Sequence, residues 1–356
     1  MLTKGIKYEW IKNHCRVSHI QNFTIIACHN SFDRFKMALT RMLNTRKTRI
    51  LIVFAVGFTV FFTSCHSGKN NSYSETPTRG DIKICVDESF QPIIDSEIFT
   101  FTHLYTYAKV QASYKPEVDV INDFMNDSVK VIVTSKKLTE GQIASLRDTL
   151  IIARTNSFAF DALAFIVNDE NGDSLFHYKT IKDLFMGEIT SWKDINPGSK
   201  LDKISVVFDN TKSGNIRYFK DLFEISQPLS GNFYAVNNNE EVINYVSRNK
   251  NALGIISVNW ISDKDDSLSR KFTQSIKVAA ISPSYDNSTY YLPEQGAIYN
   301  KSYPFTREVF FISRETFAGL GSGFISFAVH EQGQRIVLKS GLVPATMPIR
   351  LIQVKH

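Results

Sequence analysis

Apolar residues alternate with two different periods along the chain. Ile82-Lys83-Ile84-Cys85-Val86 reads as a strand, followed by the polar turn Asp87-Glu88-Ser89. Phe90, Ile93, Ile94, Ile98 and Phe99 then recur at helical spacing, with Pro92 tolerated in the first turn. Residues 129–134 (VKVIVT) predict a strand, with Ser135-Lys136-Lys137 at its C-terminal end. A helix follows from Leu138-Thr139-Glu140, and residues 162–167 (ALAFIV) predict another strand. Residues 180–185 predict a helix with a capping-box-like pair, Thr180 and Asp183, stopping at Gly187.

Residues 204–223 concentrate the same logic in one stretch. Ile204, Val206 and Val207 are a buried strand by content, residues 209–215 (DNTKSGN) form a polar loop, and Ile216, Phe219, Leu222 and Phe223 return to helical spacing. Ser213 therefore stands at a helix N-terminus, where unpaired N–H groups and the helix dipole favour an anion. A plain N-cap is the simpler role for the same serine. Beyond it the pattern predicts a helix over 240–249, an apolar run over 252–258 and polar loops around one or two strands over 262–300. A strand over 309–312 and a single last helix spanning 324–338 complete the series.

Strands alternating with helices over 81–345 predict α/β architecture with largely parallel sheets, long enough for two lobes. In such sheets ligands sit beyond the C-terminal strand ends. The three polar loops at Asp87-Glu88-Ser89, Ser135-Lys136-Lys137 and Ser213-Gly214-Asn215 each bring a hydroxyl and backbone N–H groups to that place.

Upstream, residues 50–62 (ILIVFAVGFTVFF) form an uncharged apolar run preceded by Arg46, Lys47 and Arg49, short for a bilayer span and right for a signal-peptide core. The run ends in Ser64-Cys65, which resembles a bacterial lipoprotein signal with Cys65 as the lipid-modified N-terminus. A cleaved leader without lipid and an uncleaved anchor are the alternatives. The leader is expected over 1–64, its signal peptide over 42–64, and residues 1–36 as an extension of the reading frame. Ser/Asn/Gly-rich residues 65–80 are expected to be a flexible tether.

Composition sharpens this picture. The net charge of +6 belongs to the leader: of 41 basic and 35 acidic residues, ten and two lie in 1–64, so 65–356 carries about −2. No basic, aromatic-interleaved tract points to nucleic acid. Cys85 alone of the four cysteines falls in the folded part, so neither an internal disulfide nor a metal site is expected. Ser213 near Asp209 with eight histidines in the chain hints at hydrolysis, but no G-x-S-x-G elbow or partner pattern supports an enzyme.

Several motifs carry a resemblance. Residues 180–196 (TIKDLFMGEITSWKDIN), Ser213-Gly214-Asn215, residues 251–255 (NALGI), Tyr303-Pro304-Phe305-Thr306-Arg307 and the tail with Gly333-Gln334 and Gly341-Leu342-Val343-Pro344 occur in one order. Together they resemble the PstS-like group of type II periplasmic binding proteins, the substrate-binding components of phosphate ABC importers. The resemblance implies a two-lobed α/β clamp, lobe I from 81–161 plus 306–356 and lobe II from 162–305. It also implies a monomer on the extracytoplasmic face that captures phosphate or a related oxyanion and passes it to an importer permease, with no cofactor. Carried over by position, the ligand-binding residues would be Ser89, Phe90, Ser135, Lys136, Ser213, Gly214 and Asn215.

Four positions depart from the family pattern. Lys130 replaces an Asp, Asp209 replaces an Arg, and Glu88 and Glu117 replace small hydroxyl or glycine residues. A buried Asp209 would repel a dianion, and Lys130 compensates only if it turns inward. These departures leave two alternatives open: a different small polar or cationic solute, and a non-transport envelope sensor or adaptor that kept the clamp fold.

Overall fold

The computed structural model describes residues 75–229, 231–284 and 289–348. The leader, its signal peptide, Cys65 and tether residues 65–74 lie outside them. Strands β1 to β12 are Gly80–Asp87, Ala108–Lys115, Val131–Thr134, Arg154–Asn168, Leu175–His177, Ser205–Phe208, Phe233–Ala235, Ala252–Ser257, Ile276–Val278, Ala280–Ser282, Thr306–Ser313 and Val343–Pro344. Helices α1 to α11 are Gln91–Leu104, Glu117–Met125, Glu140–Asp148, Tyr178–Met186, Trp192–Ile195, Gly214–Leu222, Asn239–Arg248, Ser267–Thr273, Gln295–Tyr299, Leu320–Val329 and Glu331–Lys339.

The architecture is mixed α/β in two lobes, and β4 is the thread between them. The main sheet runs β2-β1-β3-β11-β4-β8-β6-β7. The first half of β4 pairs antiparallel with β11, and its second half pairs antiparallel with β8 through Leu163 to Val167. Around β1 the pairing with β2 and β3 is parallel, and so is that of β6 with β7 and β8. Parallel pairing is thus confined to each lobe, while the connection between lobes is antiparallel, a correction to the largely parallel sheet expected. Alternation explains the placement: β8 is buried along its whole length and sits centrally, whereas β2 alternates small and polar residues at an edge.

Three local expectations change. The helix expected from Thr180 begins at Tyr178 with no side-chain cap, and Asp183 pairs instead with Lys179 at 2.6 Å, one helical turn away. Gly187 closes that helix in the left-handed region, φ +81°, as its position predicts. The single last helix is two, broken at His330, whose extended backbone both ends α10 and starts α11. The expected tether is shorter, because Thr76 and Arg79 pair in a turn and the Glu75 carboxylate accepts the Leu320 N–H at 3.1 Å.

The site helix α6 is anchored by aromatic rings. Phe219 is fully buried among Phe165, Phe185 and Phe305 at centroid distances of 5.5, 4.6 and 5.2 Å, the first and last belonging to β4 and the residue before β11. Trp192 is equally buried, and its indole N–H donates to the Asn251 carbonyl at 3.1 Å. Truncating Phe219 removes packing that fixes where α6 begins. Phe219→Ala is expected to cost about 3–5 kcal/mol of stability in urea unfolding; a loss under about 1 kcal/mol would show that the cluster does not hold the helix.

Candidate functional site

Strand ends converge on one place. Asp87 closes β1, Thr134 closes β3, Asp209 follows β6 and Ser257 closes β8, all buried. The sequence-nominated residues meet there. Ser213 is the N-cap of α6: its Oγ accepts the Asn215 N–H at 2.9 Å and donates to Asp209 Oδ2 at 2.6 Å. Ser89 Oγ donates to Asn215 Oδ1 at 3.2 Å, across from one lobe to the other. Ser135 Oγ donates to Glu117 Oε2 at 2.8 Å. The Phe90 ring carries the Arg307 guanidinium 4.8 Å from its centroid.

Lys136 is tied to the cluster through its backbone, whereas Lys130 stays out of it. Lys136 contributes a backbone N–H that is already bonded to Thr134 Oγ1 at 3.1 Å. Lys130 precedes β3, at the strand end opposite Ser135, with its ammonium 5.9 Å from the Phe317 ring. It cannot offset Asp209, so the expectation of a compensating Lys130 fails on geometry.

The structure adds residues that sequence reasoning missed. Glu117, 1% exposed, is gripped by Arg217 of α6 through Nε and through Nη2 at 3.1 Å, and Arg217 Nη2 also donates to Ser135 at 3.0 Å. Arg217 lies four residues beyond Ser213, one helical turn, which is the signal that could have found it. Gly214 shows how close the carboxylates come: a Cβ there would lie 2.7 Å from Asp87 Oδ2 and 2.9 Å from Glu117 Oε2. The chain's own carboxylates stand at the positive end of α6.

Arg307 is the second missed cation. Its Nε donates to Asp161 Oδ2 at 2.9 Å, and Asp161 also accepts from Ser257 Oγ at 2.9 Å. Both terminal amino groups of Arg307 are buried without a partner in the protein, as are Asp87 Oδ2 and Asp209 Oδ1. The residue sits inside the Tyr-Pro-Phe-Thr-Arg motif, read from sequence only as one of the motifs that carry the resemblance.

Too many acids share this space for all to ionise. Burial, then the charge of Glu117, pushes the Asp87 carboxyl up to about 7. Burial, then Asp209, pushes Glu88 up to about 8, although Asn239 donates to it at 2.5 Å. Burial lifts Asp209 to about 6 against the pull of the Ser213 hydroxyl. Burial also opposes ionisation of Glu117, but Arg217 outweighs it and holds that carboxyl below its ordinary value. Among the described residues no group of His, Cys, Asp and Glu could hold a metal ion.

The fold and the strand-end site have a known counterpart. A family model described as a PBP superfamily domain matches residues 71–332. The chain belongs to the PBP superfamily. The fold is the two-lobed type II architecture of periplasmic binding proteins, and solute-binding members of this superfamily are non-catalytic. The phosphate-binding protein PstS of Borreliella burgdorferi is 22% identical over 305 residues, covering 83% of this chain and 98% of its own. That of Staphylococcus epidermidis is 20% identical over 293 residues, covering 81% and 86%. A Clostridium perfringens substrate-binding protein solved with bound phosphate superposes with a TM-score of 0.63 at 21% identity, covering 75% of this chain and all of the other. An ABC-type phosphate transport receptor from Vibrio cholerae gives 0.56 at 21% identity, covering 74% and 100%.

The acids of this PBP-superfamily site give its stability a signed pH dependence. Asp87, Glu88 and Asp209 have pKa values raised on folding, so the folded state holds more protons than the unfolded chain between about 4 and 8, and stability falls as pH rises through that window. Glu117 works in the opposite sense, its contribution being lost as pH falls through its lowered value. Urea midpoints should therefore drop between pH 5 and 8, and Asp209→Asn should flatten the drop. A midpoint that rises over that interval would contradict the assignment.

Proposed function

We propose that the protein is a lipid-tethered solute-binding protein, anchored through Cys65, that captures phosphate or a related oxyanion between its lobes as a monomer and delivers it to an ABC importer. One observation carries this reading: the two terminal amino groups of Arg307, beside the Phe90 ring, are buried with no acceptor in the protein. A buried cationic donor left unmatched is costly, and a planar fork of N–H groups suits a bidentate oxyanion. The relatives named phosphate-binding proteins support the same ligand class.

Protonation decides when such an anion is accepted. With Glu117 matched to Arg217 and Asp161 to Arg307, the remaining acids are Asp87, Glu88 and Asp209. Ionised, they repel a dianion; protonated, they become donors to it. Capture is thus favoured below about pH 6, where all three carry protons, and weakens as pH rises towards 8.

A second reading, an envelope sensor or adaptor with the clamp fold, is favoured by a different observation. The hydroxyls of Ser89, Ser135 and Ser213 all donate to acceptors of the chain itself, and the bond from Ser89 to Asn215 joins the two lobes without a solute.

Calorimetric titration with phosphate separates the two. Under the receptor reading, phosphate binds more tightly at pH 5.5 than at pH 8. Arg307→Lys keeps the charge but loses the fork, a loss of about 1.5–3 kcal/mol, so it should weaken binding roughly tenfold to a hundredfold. Absence of phosphate binding at both pH values would favour the adaptor.

A further inference from the structure

Beside the proposed oxyanion site lies a cavity that shares Glu88 and Asp209 with it. A cavity of about 350 Å³ is lined by Glu88, Tyr114, Asp209, Asn238, Glu240 and Trp260. Three of these are acids, and no described salt bridge serves any of them. Lys115, the one cation on the cavity wall, holds its ammonium 2.7 Å from Asp123. Asp209 is 3% exposed, and its Oδ1 has no partner in the protein; the buried Trp260 indole N–H has none either.

This chemistry selects for positive charge. An unmatched buried carboxylate oxygen needs a donor, and a charged one restores the ionisation that burial opposes at Asp209 and Glu88. Aromatic rings of Tyr114 and Trp260 add faces on which a cation is stabilised. Asp209 also links the cavity to the proposed oxyanion site, because its other oxygen accepts the Ser213 hydroxyl at 2.6 Å. Asn239 joins them again, donating to Glu88 Oε2 at 2.5 Å and to Asp209 Oδ2 at 3.5 Å.

We propose that the solute carries an ammonium group on a short linker from its oxyanion, the ammonium seated in the cavity against Asp209, Glu88 and Glu240. The proposal rests on the oxyanion reading of the adjoining site and explains why acids replace the family's residues around it. A zwitterion brings its own counter-charge to an ionised Asp209, whereas inorganic phosphate brings none.

The test titrates the full chain at pH 7 with 2-aminoethyl phosphate, ethyl phosphate, inorganic phosphate and ethylamine. The aminoethyl ester should bind about tenfold or more tighter than the ethyl ester, a difference of at least one charge-assisted contact. Asp209→Asn and Glu88→Gln should reduce that ratio to about threefold or less, and the exposed Glu240→Gln should lower it without touching buried structure. Equal binding of the two esters would overturn the ammonium site and leave the oxyanion function standing. Binding of none of the four probes, or of ethylamine alone, would overturn the oxyanion reading and the proposal with it.

Discussion

Two carboxylates pressed against the first turn of α6 set the terms for the rest of this molecule. Asp87 and Glu117 come from one lobe, Gly214 from the other, and the gap between them leaves no room for a side chain. Unpaired N–H groups and the helix dipole stabilise negative charge at that point, while low dielectric makes a second negative charge costly. The protein resolves the conflict by pairing Glu117 with Arg217 on the same helix and by raising the pKa of Asp87. Contact between the lobes, the protonation of the cleft and its taste in ligands all follow from that arrangement.

The contacts across the cleft differ in strength. The Glu117–Arg217 pair is buried and hydrogen-bonded, so removing one partner would strand a charge and cost several kcal/mol, about 3–5 by analogy with other buried pairs. Lys212–Asp119, at 2.9 Å but half exposed, crosses the same gap and contributes little. Asn259 donates to the Ser89 carbonyl at 3.1 Å and Asn239 to Glu88, adding neutral bonds that specify the register of the two lobes.

Much of the fold was legible in the sequence because buried strands and amphipathic helices leave strong periods: 204–223 folds as strand, loop and helix, with Ser213 as the N-cap. What stayed hidden has physical causes. β2 mixes small and polar residues because it is an edge, and the first half of β4 is polar because it begins near the surface. The seven nominated ligand residues came from one-dimensional correspondence, which cannot show whether a hydroxyl is already engaged. Ser89, Ser135 and Ser213 are engaged, and Lys130 lies outside the cluster. Arg307 and Arg217 were invisible as site residues, since each reaches the cleft from a distant element. The departures at Glu88, Glu117 and Asp209 were readable, and they are the features that distinguish this site.

The proposed anion capture is coupled to protons on Asp87, Glu88 and Asp209. Calorimetry of phosphate binding at pH 7 in buffers of different ionisation enthalpy measures that coupling directly. An entering anion raises those carboxyl pKa values further, so net proton uptake and a heat that changes with the buffer are expected. Binding with buffer-independent heat, or with proton release, would contradict it.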